Sequence, residues 1–256
     1  MGEITKAYLI TTSGSQLSFH PKLDIFRACN LLNDVPSIPT GGKDSSEALE
    51  RRKKHYLKCS QVILKKFNLN IDFMPRLRGE AGNDPNKDPL SFYLSAKGIG
   101  CFLSHYFLWK KISEKKDGVY LICEDKAYKE DISSVLDTYT APQEDFSVVN
   151  INTRGGNGTE AYLITPAAAL TLSKHLSNEW IWYEEVDCFI FRDGYLDFED
   201  LKSLKIIDDL GWVRYVHKQT NKVVNFLSKH DQSVSRSPRT LNTFDVTPDI
   251  AKTHWV

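Results

Sequence analysis

Glu124, Asp125 and Lys126 stand together at the end of an uninterrupted apolar run, Val119-Tyr120-Leu121-Ile122-Cys123. Carboxylates in such a place suit phosphate chemistry. A departing diphosphate needs its charge neutralised, and a metal ion held by two carboxylates does this as a Lewis acid. Ligands two apart in sequence can converge on one ion. Glu124 and Lys126 have that spacing, but the second is an ammonium, which would meet phosphate oxygens directly. The same residues could also do no more than cap a strand with a surface ion pair. Ser104 and His105 are hydrogen-bonding groups that could face a cleft, although a single histidine on a helix is more often a satisfied structural residue. Gly158-Thr159-Glu160 precede a strand, where the glycine either lets the backbone approach a ligand or makes a turn. Asp187, between Val186 and Cys188 in an aromatic stretch, is either a desolvated carboxylate suited to general-base work or an acid pointing outward from an edge strand.

These residues need a scaffold that gathers strand ends. In residues 94–129 the apolar positions Ile99, Phe102, Leu103, Tyr106 and Ile112 recur mostly at three- and four-residue intervals, so a helix is predicted, then a charged turn closed by Gly118, then the buried strand. A strand apolar on both faces belongs inside a helix-covered parallel sheet, whose ligands gather at the carboxyl ends of its strands. The first strand, KAYLITT, ends in Thr11 and Thr12, which places both in the same crevice. Residues 14–45 combine a short helix over 23–32 with Pro36, Pro39, Gly41 and Gly42 and read as a surface insertion. A helix over 46–68, with Ser46 as N-cap, carries Arg51, Arg52, Lys53 and Lys54, which in the plainest reading form a solvated face. Further strands are predicted over 70–74, 146–152 and 160–165, a loop over 75–88, and helices over 131–139 and from Pro166 to about 175. Beyond Gly194 the signals weaken to short strands over 211–216 and 222–227. The expectation is one α/β domain over 1–195 with a parallel or mixed sheet flanked by helices, and an extension over 196–256.

Composition narrows the partners. The 256 residues are 41% hydrophobic, enough for one large core, and Lys plus Arg equal Asp plus Glu at 33 each, so no long-range field favours nucleic acid or an anionic membrane. Five cysteines without CxxC spacing argue against a zinc or disulfide framework. No segment approaches the ~20 apolar residues of a membrane span or the length of a signal peptide. A cytoplasmic protein, at most peripheral at a membrane surface, is expected.

GIGCFLSHYFLWKKI followed by YLICED resembles the signature of family 25 glycosyltransferases, the lipooligosaccharide galactosyltransferase group that includes the collagen galactosyltransferases. That signature runs close to L-T-P-G-E-I-G-C-F-L-S-H, a helix, then L-I-L-E-D-D. The opening AYLIT, the stretch RRKKHYLKCSQVILKKFNLNIDFM, GTEAYLIT and Val186-Asp187 extend the likeness over roughly residues 5 to 190. The resemblance implies a GT-A-like nucleotide-diphospho-sugar transferase fold, a UDP-sugar donor (most often UDP-galactose), and inverting transfer to a hydroxyl of a surface glycan such as lipooligosaccharide. It implies catalytic roles for Asp187, Glu124 and Asp125, donor contacts from Thr11, Thr12, Arg52, Ser104, His105, Lys126, Gly158 and Thr159, and Mn²⁺ or Mg²⁺ on Asp125. Two departures bear on the last point: Lys126 replaces the family's third acid, and Lys97 stands where G-E-I-G-C begins in the family. A transferase with altered or weak metal dependence is expected, the alternative being a catalytically silent binding module of the same shape.

Overall fold

The computed structural model describes residues 3–12, 20–31, 34–35, 45–73, 96–127, 129–152, 158–178, 181–182, 186–191, 199–213, 215–217 and 222–224. In chain order these form β1 (Ile4–Thr11), β2 (Leu23–Arg27), α1 (Ser45–Phe67), β3 (Asp72–Phe73), α2 (Ala96–Ser113), β4 (Val119–Glu124), α3 (Lys129–Thr138), β5 (Val148–Asn152), β6 (Ala161–Ile164), α4 (Pro166–Asn178), β7 (Ile181–Trp182), α5 (Val186–Phe191), a 3₁₀ turn at Glu199–Leu201, β8 (Ile206–Val213), β9 (Tyr215–His217) and β10 (Lys222–Val224).

The main sheet has six strands in the order β2-β1-β4-β6-β5-β8. Pairing is parallel except at β6, which runs antiparallel to both β4 and β5. This is the expected mostly parallel mixed sheet flanked by helices. Alternation along the central strands divides the core in two. Tyr8, Ile10, Tyr120, Ile122, Tyr162 and Ile164 point into the cluster with α1, α2 and α4. Ala7, Leu9, Leu121, Cys123, Ala161 and Leu163 point to the opposite cluster with α3. All six residues of β4 are buried. Each fully buried Leu or Ile there contributes about 1.5–3 kcal/mol relative to exposure, so the strand that ends in Glu124 is among the firmest parts of the molecule.

Two backbone positions set the entry to these elements. Asn68 takes a left-handed φ of 54° and its N–H bonds Leu64 O at 3.0 Å, closing α1. Gly118 has φ 106°, and a Cβ there would meet Thr5 Oγ1 at 2.5 Å. The turn into β4 therefore requires glycine on both conformational and steric grounds.

The structure differs from the sequence reading in three places. The helix expected over 23–32 is instead the edge strand β2, paired with β1 from Ala7↔Leu23 to Thr11↔Arg27. A strand has the β1 ladder available there, and Leu23 reaches the core. Leu31 and Val35, within the expected surface insertion, are fully buried. Of the strand pair expected over 211–216 and 222–227, the antiparallel partners are β9 and β10, whereas Gly211 to Val213 belong to β8 in the main sheet. The expected loop over 75–88 and the chain after 224 lie outside the described residues.

Candidate functional site

The period of β4 decides where its terminal charges go. Tyr120 and Ile122 face α2, so Glu124, two residues on, faces it too. Asp125, one step out of phase, is exposed, and Lys126 turns back and is buried. On α2, Cys101, His105 and Trp109 are each four residues apart and share one face, which looks onto the ends of β4 and β6. Gly100 and Ser104 form a neighbouring row against residues 28–31. A Cβ on Gly100 would lie 2.5 Å from Cys29 O, and Ser104 Oγ accepts from the Cys29 N–H at 2.8 Å while donating to Gly100 O at 2.8 Å. Ser104 thus pins the chain after β2 to the helix.

A buried network joins the two elements. Trp109 Nε1–H donates to Tyr162 Oη at 3.0 Å, and Tyr162 Oη lies 2.7 Å from His105 Nδ1. Indole can only donate, which leaves the Tyr162 proton for Nδ1 and puts the imidazole proton on Nε2. His105 Nε2 then donates to Glu124 Oε1 at 3.2 Å, beside Thr159 Oγ1 donating at 2.6 Å and the Cys101 thiol at 3.8 Å. Glu124 Oε2 faces Lys126 Nζ at 3.5 Å. Burial alone would raise the Glu124 pKa. The Lys126 ammonium and the bonds from His105 and Thr159 outweigh it and bring the carboxyl down to about 2. Burial also holds the Tyr162 phenol well above its ordinary pKa, so it remains a neutral donor.

Lys126 also approaches Glu160 Oε1 at 4.0 Å. Asn152 Nδ2 bonds both Gly158 O at 2.6 Å and Glu160 Oε2 at 3.3 Å, fixing the start of β6. Among the described residues, one ammonium between two buried carboxylates leaves this corner net negative when His105 is neutral. It opens into a cleft whose walls include Thr11, Thr12, Lys97, Cys101, Asp125 and Lys126. The cleft lies at the carboxyl ends of the parallel strands β1 and β4, where Ile10 pairs with Glu124.

The sequence candidates are thus distributed unevenly. Thr11, Thr12, Ser104, Glu124, Asp125 and Lys126 all line this cleft. His105 and Thr159 sit behind it and hold Glu124, and Gly158 is buried against Glu160. Asp187 is half-buried in the first turn of α5 and is not among the cleft-lining residues. Arg52 lies in α1, with its side chain outside the described residues. Sequence reasoning missed the chemistry of Cys101, Asn152 and Glu160. Cys101 did carry a signal, its four-residue spacing from His105, whereas Asn152 and Glu160 converge only through the antiparallel return of β6.

The residues fit a hard divalent cation poorly. Mg²⁺ and Mn²⁺ favour several oxygen ligands. At this strand end Glu124 Oε1 is ringed by N–H, O–H and S–H donors, and Oε2 faces an ammonium, which among the described cleft-lining residues leaves Asp125 as the remaining acid. A two-carboxylate seat for such an ion is not formed by Glu124 and Lys126.

Residues 52–151 match the model of glycosyltransferase family 25 (LPS biosynthesis protein), and no curated protein sequence matches the chain significantly. The matched segment runs from within α1 to within β5. It contains Cys101, Ser104, His105, Glu124, Asp125 and Lys126, whereas Thr159, Glu160 and Asp187 lie beyond it. The match supports a glycosyltransferase role in LPS biosynthesis, and the mixed six-stranded sheet is consistent with a glycosyltransferase fold. No helix among the described residues is long and apolar enough to cross a membrane.

Proposed function

We propose that this chain moves a sugar, galactose in the favoured reading, from a UDP-sugar to a hydroxyl of a surface glycan such as lipooligosaccharide, with inversion and with weak dependence on a divalent metal. The observation that carries this reading is a cleft at the ends of β1 and β4 lined by Lys97 and by Lys126, the latter shared with Glu124 and Glu160, where a diphosphate would lie. Cationic donors aimed at a leaving group stabilise the charge that develops as it departs. Thr11 and Thr12 are assigned to the nucleotide side. Glu124, held ionised far below the ordinary carboxylate range, is a weak base and is assigned to positioning Lys126. Asp125, exposed in the cleft, takes the role of base toward the acceptor hydroxyl, with Asp187 the second candidate for that role.

The test is transfer from a panel of UDP-sugars with Mn²⁺ or with a chelator. Transfer that survives chelation is expected, and strict Mn²⁺ dependence would sink the substitution of lysine for metal. A second reading, a catalytically silent module that binds the donor, draws on the internal partners that already occupy both oxygens of Glu124. Calorimetry showing UDP-sugar binding with neither hydrolysis nor transfer would favour it.

A further inference from the structure

Cys101, His105 and Glu124 bring a sulfur, a nitrogen and an oxygen to one point, all three within 4.8 Å of one another. The two distances to Glu124 are close to those of a coordination shell, and Cys101 and His105 lie within 4.8 Å of each other. Neighbouring ligands of a four-coordinate zinc ion lie roughly 3.4–3.6 Å apart, given Zn–N and Zn–O near 2.0–2.1 Å and Zn–S near 2.3 Å. Here His105 Nε2 is 3.2 Å, and Cys101 Sγ 3.8 Å, from the same oxygen of Glu124.

We propose that this corner of the cleft binds a thiophilic divalent cation, zinc foremost, through Cys101 Sγ, His105 Nε2 and Glu124 Oε1. The fourth position would open to the cleft that Cys101 and Glu124 line. Thiolate and imidazole select zinc over magnesium or manganese, so the same residues that fit a hard ion poorly fit a soft one well. The cation takes the place of two hydrogens that now point at Oε1. The thiol proton leaves to solvent. The imidazole changes tautomer, its proton moving from Nε2 to Nδ1. The Tyr162 hydroxyl, which stays protonated, turns its own hydrogen off Nδ1 so that its oxygen accepts there. Tyr162, steadied by Trp109, is then the outer partner that such an imidazole ligand requires. Lys126 sits on the other oxygen, Oε2, and leaves Oε1 to the ion. Glu160 supplies the extra negative charge nearby. Cys101 is only partly buried, which gives the ion a way in. A bound ion would engage Glu124 and obstruct the cleft, whatever reaction takes place there.

The full chain, stripped of metal and free of sugar nucleotide, is titrated with Co²⁺. One equivalent is expected to give a thiolate-to-cobalt charge-transfer band that stoichiometric Zn²⁺ removes and excess Mg²⁺ does not. Cys101→Ser is expected to abolish the band and weaken zinc at least tenfold. Tyr162→Phe keeps all three ligands and is expected to weaken zinc by about ten- to a hundredfold. Absence of the band in the unaltered chain, or an undiminished band in Cys101→Ser, would overturn the assignment. Alkylation mapped on the unaltered chain needs no variant to fold: Zn²⁺ should protect Cys101 from iodoacetamide, and equal labelling with and without the ion would also overturn it. Because no donor sugar is present, failure here leaves the transferase reading untouched.

Discussion

Glu124 keeps its charge although little of it meets water. It does so because Lys126, His105 and Thr159 each compensate part of the lost hydration. Removing one member of a buried pair strands the other, which typically costs about 3–5 kcal/mol. Glu124→Gln is therefore expected to destabilise the fold by a few kcal/mol and to remove the carboxylate nearer to Lys126, Glu160 lying at 4.0 Å. The pH dependence has a definite sign. The folded carboxyl titrates near 2 rather than 4.5, so the unfolded chain binds more protons between those values. The contribution, on the order of 3 kcal/mol, is present above about pH 4.5 and is lost as pH falls toward 2. Urea unfolding across that window should show a steeper loss for the unaltered chain than for Glu124→Gln, and equal slopes would mean that Glu124 is not the group responsible.

At the scale of elements, the site depends on how closely α2 lies against the chain that follows β2. Alanine is the better helix former by about 1 kcal/mol, yet at Gly100 its Cβ would meet a backbone oxygen 2.5 Å away. Backbone cannot swing aside as a side chain would, and overpacking of this kind costs about 1–3 kcal/mol. Gly100→Ala is expected to lower the thermal midpoint. A raised midpoint would show that helix propensity outweighs the contact. Much of this element pair was readable beforehand. The three- and four-residue spacing of Ile99, Phe102, Leu103 and Tyr106 and the unbroken run of β4 are local patterns, and local patterns fix periodicity. Long-range pairing is not local. LDIFR has a strand's composition, but its identity as β2 depends on the β1 ladder, and AYLI gives no sign that β6 runs against its neighbours. That reversal brings Thr159, Glu160 and Tyr162 onto Glu124, Lys126 and His105, so the site's charges were legible while the partners that tune them were not.

At the scale of the molecule, the sheet does not finish with the strands nearest the site. β8 pairs in parallel with β5 from Val148↔Ile206 to Asn152↔Val213, with a shift between Asn150 and Asn152. Its attachment is reinforced on both sides. Ser147 N–H bonds Lys205 O at 2.8 Å, and Tyr139 Oη and Trp212 Nε1 both donate to Asp209 Oδ2, at 2.8 and 3.1 Å. The Tyr139 and Trp212 rings meet edge-on at 4.8 Å. Ahead of the strand, Leu201 and Leu204 are buried in the cluster with α1, α2 and α4, and Asp200 pairs with His175 of α4 at 2.9 Å. Ending the chain at residue 195 would remove all of these contacts and leave β5 as an open edge of Val148, Val149 and Ile151, a template for pairing with other copies. β5 also carries Asn152, which fixes Gly158 and Glu160 beside Lys126, so damage at this edge should reach the cleft. The shortened chain is expected to aggregate and to lose its cooperative unfolding transition. A monodisperse 1–195 fragment that unfolds cooperatively would show instead that the sheet closes at β5 and that β8 is an accessory.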